Sequence, residues 1–213
     1  MTTAKLSVPE LLRAARLIPV LTIERVDRAV PLARALVAGG VRTLEITLRT
    51  AAGADAAAAI KAEVEDAIVG LGTVVTRRDL KLAKRLDLPF AFSPGATPEL
   101  LDAAADLGVP FVPGVGTASE IIAAVARGFT TVKLFPAAQV GGIGALKAFG
   151  GPFPDVRFNP TGGVSEHNMA DYLALPNVVA VGGSWLAPLA DIEAGNWDAI
   201  TARARSAMER ISG

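Results

Sequence analysis

The chain has 213 residues, 51% hydrophobic and 20% charged, enough for one globular domain with a substantial core and too apolar for a disordered segment. Lys plus Arg equals Asp plus Glu at 21 each, so the charge gives no reason to expect nucleic acid or an anionic membrane as partner. Cysteine is absent and histidine occurs once, which excludes disulfides, thiolate catalysis, zinc–thiolate sites and any metal site built on several histidines, and leaves only His167 for a Ser-His-Asp triad.

The first residues, MTTAKLSVPELL, carry neither the basic start nor the long apolar stretch of a signal peptide, and a cytoplasmic location is expected. Ser7 and Glu10 predict a capping box opening a helix over Val8–Leu17. Strands are then predicted at Ile18–Ile23, Thr43–Leu48, Ile68–Val74, Phe90–Pro94, Phe111–Val115, Thr131–Pro136, Val156–Thr161 and Val178–Val181. Helices are predicted between them at about 27–38, 54–66, 77–86, 98–107, 118–127, 143–149 and 165–174, with a last one at about 196–211. The uncharged run Tyr172–Ala190 is broken by Pro176, Asn177, Gly182, Gly183 and Pro188, so it reads as buried core and not as a membrane span. Strict alternation of strand and helix predicts parallel strands with right-handed crossovers. Eight such units point to a single domain over 1–213, a closed (β/α)8 TIM barrel with an additional N-terminal helix. An open doubly wound sheet is the rival, but no GxGxxG or GxxxxGK[ST] follows the first strand.

Alternation along the strands assigns faces. In TLEITLR, Leu44, Ile46 and Leu48 share one face; Thr43, Glu45, Thr47 and Arg49 share the other. The face beneath the helices must be apolar, so Glu45 points inward, with Arg49 at the C-terminal mouth. In TVKLFP the same split sends Val132 and Leu134 outward and Thr131, Lys133 and Phe135 inward. A buried lysine without a partner tends to shed its proton, and a neutral amine in a dry pocket attacks carbonyls to form Schiff bases. The bland alternative is a structural ion pair between Lys133 and Glu45. Gly162-Gly163 and Gly182-Gly183 are predicted after the last two strands, where barrels often hold phosphate, with Ser184 as a hydroxyl donor; two ordinary tight turns are the alternative. Asn159 and Thr161 fall on the seventh strand. His167 reads as a surface residue, and Trp185 and Trp197 as packing or interface residues.

The ordered segments LVAGGVRTLEITLRT, AIVGLGTV, AFSPGAT, VKLFPAA, VRFNPTGGVS and VGGSWL resemble the bacterial 2-keto-3-deoxy-6-phosphogluconate aldolases, which also cleave 4-hydroxy-2-oxoglutarate, and the likeness runs essentially end to end. The resemblance implies a homotrimer of (β/α)8 barrels, a class I aldolase that needs no metal or other cofactor. It implies Lys133 as the Schiff-base lysine and Glu45 as general acid/base. Arg49 and Thr73 would bind the substrate carboxylate, and Pro94 and Phe135 would wall the pyruvate pocket. Gly162, Gly163 and Ser184 would hold the phosphate, with Thr161 beside them among the substrate-binding residues. The implied partner is a small 2-keto acid phosphosugar, gluconate- or galactonate-derived. A phosphosugar isomerase or epimerase, or a non-catalytic phosphosugar-binding barrel, would keep the glycine pairs without needing Lys133. Because Arg49 opposes a charged amine and Glu45 favours one, Glu45 is expected close to Lys133 but not locked to it in a salt bridge.

Overall fold

The computed structural model describes residues 6–212; residues 1–5, on which part of the leader reading rests, and Gly213 lie outside them. The Ser7 N–H and hydroxyl both donate to Glu10 Oε2, at 2.9 and 2.6 Å, closing the expected capping box at the start of α1 (Val8–Ala15). The helix stops two residues earlier than predicted, because Arg16 turns the chain at φ 56° straight into β1 (Leu17–Leu21). A short 3-10 turn, Val26–Arg28, leads into α2 (Ala29–Ala38). Next come β2 (Thr43–Thr47), α3 (Gly53–Glu63), β3 (Ile68–Gly72), α4 (Arg77–Arg85), β4 (Ala91–Phe92) and α5 (Pro98–Leu107). The following stretch is interrupted at Pro113, which has no N–H to donate, into β5 (Phe111–Val112) and β6 (Gly114–Val115). Then follow α6 (Ala118–Val125), β7 (Thr131–Leu134), α7 (Gly142–Gly150), β8 (Arg157–Phe158), α8 (Met169–Leu173), β9 (Val181–Gly183), α9 (Leu189–Ala194) and α10 (Trp197–Ser212). The six-residue α9 falls where no helix was predicted; Pro188 precedes it and Gly195 ends it in the left-handed region.

The result is an α/β fold. Six parallel strands form one curled sheet in the order β5-β4-β3-β2-β1-β9, and three more form a second in the order β6-β7-β8. Single parallel bridges, Phe158↔Val178 and Thr161↔Gly182, run between the β8 and β9 segments. No helix among the described residues is long and apolar enough to cross a membrane.

Side chains divide as the alternation requires. Leu44, Ile46, Val69, Leu71, Ala91, Val132, Leu134 and Phe158 join the large apolar cluster with Leu32, Leu36, Ile60, Leu80 and Ile200 of the helices. A second cluster gathers Ile18, Phe90, Phe92, Val112, Val179 and Ala180 with Leu11 and Leu12 of α1. The capping helix therefore seals the inner face at the strands' N-terminal end. The inner face also carries buried polar residues, Thr43, Glu45 and Thr47 of β2, Thr131 and Lys133 of β7, and Asn159 and Thr161 of the β8 segment.

Candidate active site

Glu45 on β2 and Lys133 on β7 meet across the inner face. Lys133 Nζ donates to Glu45 Oε1 at 2.9 Å and to Oε2 at 3.2 Å, with the two side chains 4% and 1% exposed. Glu45 lies close to the amine as expected, but the expectation that it would not be locked to it in a salt bridge is overturned. The physical reason is that each ion is buried, and leaving either unpaired there would cost several kcal/mol. Arg49, which was expected to oppose the charged amine, is exposed beyond the end of β2 and does not share their enclosure. The pair can be written as ammonium and carboxylate or as amine and acid, and the two forms differ by one proton moved along a 2.9 Å hydrogen bond.

Local sequence makes this meeting possible. Gly72 on β3 leaves room for Glu45, since a Cβ there would fall 2.2 Å from Oε1. Gly114 is the register partner of Lys133, and a Cβ on it would fall 2.3 Å from the Pro94 carbonyl carbon. The Pro94 backbone is thereby packed against the strand beside the lysine. The ammonium lies 5.1 Å from the Phe92 ring centroid and 5.5 Å from that of Phe135, a cation–π arrangement that suits any cation formed on this nitrogen. Phe92 was missed in the sequence, although it lies two residues before Pro94 and so shares its face.

Arg49 Nε donates to Thr73 Oγ1 at 3.3 Å, so the two residues expected at the substrate carboxylate do come together. Thr73 has φ 58°, a left-handed conformation rare for a β-branched residue and a form of strain that clusters at functional sites. Arg49 also lines a cavity of about 390 Å³ with Val20, Thr22, Ser184 and Trp185; neither Lys133 nor Glu45 lines it.

The glycine pairs have different uses. Gly162 and Gly163 take φ 96° and 78° in a loop after β8. That loop is tied to the one after β7 by Ala137 N to Thr161 O at 2.8 Å and Ala138 N to Gly162 O at 3.0 Å, and Asn168 Nδ2 donates to Gly163 O at 3.0 Å. Gly182 and Gly183, predicted to follow the eighth strand, are part of β9. Gly182 is there because a Cβ would fall 2.3 Å from Thr161 Oγ1, and Gly183 because one would strike the Trp185 ring. Ser184 is exposed immediately after that strand. His167 is exposed ahead of α8, and Trp185 and Trp197 pack against the large core cluster. Among the described residues, no three of His, Cys, Asp and Glu gather in a group that could hold a metal ion.

Comparison with known proteins gives one answer. The family model for KDPG and KHG aldolases matches residues 8–203. The chain is 48% identical over 209 residues to a 2-dehydro-3-deoxy-phosphogluconate aldolase of Pseudoalteromonas atlantica, covering 98% of this chain and 97% of that one. It is 47% identical over 205 residues to the KHG/KDPG aldolase of Escherichia coli, with 96% of each covered. Among solved structures, the KDPG aldolase of Legionella pneumophila, with pyruvate captured at low pH as a covalent carbinolamine, superimposes with a TM-score of 0.90 at 41% identity, covering 93% of this chain and 97% of that one. The enzyme of Zymomonas mobilis with 3-phosphoglycerate gives 0.86 at 39% identity, covering 92% of each.

Proposed function

The chain belongs to the KDPG and KHG aldolase family, and on that premise we propose that it cleaves 2-keto-3-deoxy-6-phosphogluconate to pyruvate and D-glyceraldehyde 3-phosphate through a Schiff base on Lys133, and 4-hydroxy-2-oxoglutarate to pyruvate and glyoxylate by the same route. The observation that carries the assignment of Lys133 is its buried contact with Glu45 at 2.9 Å, in a chain that closely resembles one able to hold pyruvate as a carbinolamine.

The chemistry follows from that contact. Passing one proton from Lys133 to Glu45 leaves a neutral amine, which attacks the C2 ketone. Glu45 returns the proton to the departing hydroxyl, and the imine forms. Phe92 and Phe135 face its positive charge as they face the ammonium. Glu45, directly or through water, then takes the C4 hydroxyl proton as the C3–C4 bond breaks, with the imine accepting the electrons. The enamine of pyruvate is protonated at C3, and hydrolysis frees Lys133. Arg49 and Thr73 bind the carboxylate, and Pro94 and Phe135 wall the pyruvate end. Thr161, Gly162, Gly163 and Ser184 hold the far end with its phosphate.

The same reading makes the chain one catalytic domain. Its two sheets complete a single closed (β/α)8 barrel: the β8–β9 bridges support one seam, and Val112 and Gly114, either side of Pro113, support the other. We also take the enzyme to be a cytoplasmic homotrimer, on the family resemblance and on the phosphorylated nature of the substrate. Incubation with pyruvate, reduction with borohydride and peptide mapping should find the adduct on Lys133. An unmodified Lys133 would sink the Schiff-base assignment.

A further inference from the structure

Asn159 is fully buried, and its Nδ2 has no hydrogen-bond partner among the described residues. A buried amide N–H left unpaired is costly and calls for an explanation. Its position supplies one. The β7–β8 register pairs Thr131 with Arg157 and Val132 with Phe158, and the next pair in step is Lys133 with Asn159; the Asn159 N–H donates to the Val132 carbonyl at 2.9 Å. Side chains in register on neighbouring strands lie about 4.8 Å apart on the same face. The amide is also held in one orientation. Thr161 Oγ1 donates to Asn159 Oδ1 at 3.1 Å, and Thr161 itself fits only because position 182 is glycine. Oδ1 is thereby engaged by Thr161, Nδ2 keeps its N–H groups unpaired, and the register puts the Asn159 and Lys133 positions side by side on the inner face.

We propose that this N–H binds the water that leaves when the imine forms on Lys133 and returns when it is hydrolysed. The assignment rests on the aldolase reading above. In the forward step the C2–O bond of the carbinolamine breaks. The oxygen departs with its electron pair as water, protonated by Glu45, and the Nζ lone pair forms the C=N bond. In the reverse step the water oxygen bonds to C2, the C=N electrons return to nitrogen, and Glu45 takes the proton. A buried water needs two or more polar partners. Asn159 Nδ2 supplies a donor, and the Glu45 carboxylate, which holds Lys133 Nζ at 2.9 Å, an acceptor.

A group that holds this water lowers the barrier in both directions and leaves the equilibrium unchanged. The test is rapid-quench borohydride trapping with pyruvate, on wild type and Asn159→Leu, following adduct formation and its decay on dilution. Both rate constants should fall on the order of tenfold, with the half-saturating pyruvate concentration unmoved. Asn159→Val, smaller and suited to a strand, carries the same expectation should leucine prevent folding. Unchanged rates, or slower rates accompanied by a raised half-saturating concentration, would show a packing role and overturn the proposal. A wild-type chain that traps no pyruvate overturns the aldolase reading and this assignment with it. A wild type that traps normally alongside variants that match it overturns this assignment alone.

Discussion

The Cβ that an alanine would place at position 72 falls 2.2 Å from Oε1 of Glu45 and 2.7 Å from its Cγ. The glycine on β3 and the carboxylate on β2 thus occupy one space, and the proposed general acid/base has its rotamer only because its neighbour has no side chain. Gly72→Ala should push Glu45 off Lys133 while leaving the lysine in place. The expected loss is about 10²-fold or more in kcat, the usual cost of misplacing a proton-transfer group, with pyruvate still trapped on Lys133. Steady-state kinetics beside borohydride trapping check it, and a near-normal kcat would break the link between Gly72 and the acid/base.

The limits of sequence reading follow the same line. TLEIT and TVKLFP place Glu45 and Lys133 on the inner face because an outer face under helices must be apolar, an argument that needs no distances. Whether two inward groups touch depends on how far the sheet curls, and that is set by every strand together. The bidentate contact was therefore out of reach, as was the exposure of Arg49. Glycine is ambiguous in another way. Gly162-Gly163 is a turn with positive φ, whereas Gly182 clears space for a threonine on the next strand, and the two are alike as letters. A Gly-x-Gly spacing within one strand, as at Gly70 and Gly72, does carry a signal, since it empties one face for a neighbour's side chain.

Thr73 holds a left-handed backbone at φ 58° while its hydroxyl accepts from Arg49 Nε. Glycine adopts that conformation freely, so Thr73→Gly relieves strain and at the same time releases Arg49. The variant should be more stable by about 1 kcal/mol, the gain from φ being partly offset by the entropy of glycine. KM for the keto acid should rise several-fold with a smaller change in kcat, as befits a binding contact. Denaturant unfolding and kinetics on one preparation decide this; loss of stability would mean that the Thr73 conformation is not strained.

Asp191 on α9 accepts from Asn196 Nδ2 at 3.0 Å and from Arg203 on α10 at 2.8 Å. The Asn196 hydrogen bond, and then that of Arg203, hold its carboxyl below the ordinary carboxylate range, against a smaller opposing effect of desolvation. A group whose folded pKa is depressed stabilises the fold above its unfolded value, and loses that contribution as pH falls through the folded one. Thermal unfolding should therefore separate wild type from Asp191→Asn at neutral pH, with the gap in Tm closing below about pH 4. A gap that persists unchanged in strong acid would argue that the carboxylate charge plays no part in docking α9 on α10.

On the proposed aldolase reading, the Lys133–Glu45 pair serves reaction and not stability. Two ions have been withdrawn from water, and their attraction in the interior offsets that loss only in part. Removing one partner leaves the other buried and uncompensated. Lys133→Met should thus destabilise by about 3–5 kcal/mol, and Glu45→Leu by a similar amount. The double variant removes both charges from a setting that already holds Phe92 and Phe135, and should match or exceed wild-type stability while forming no adduct with pyruvate. Denaturant unfolding of all four chains measures the cycle. A double variant no more stable than either single would mean that the pair itself holds the fold together, against this expectation.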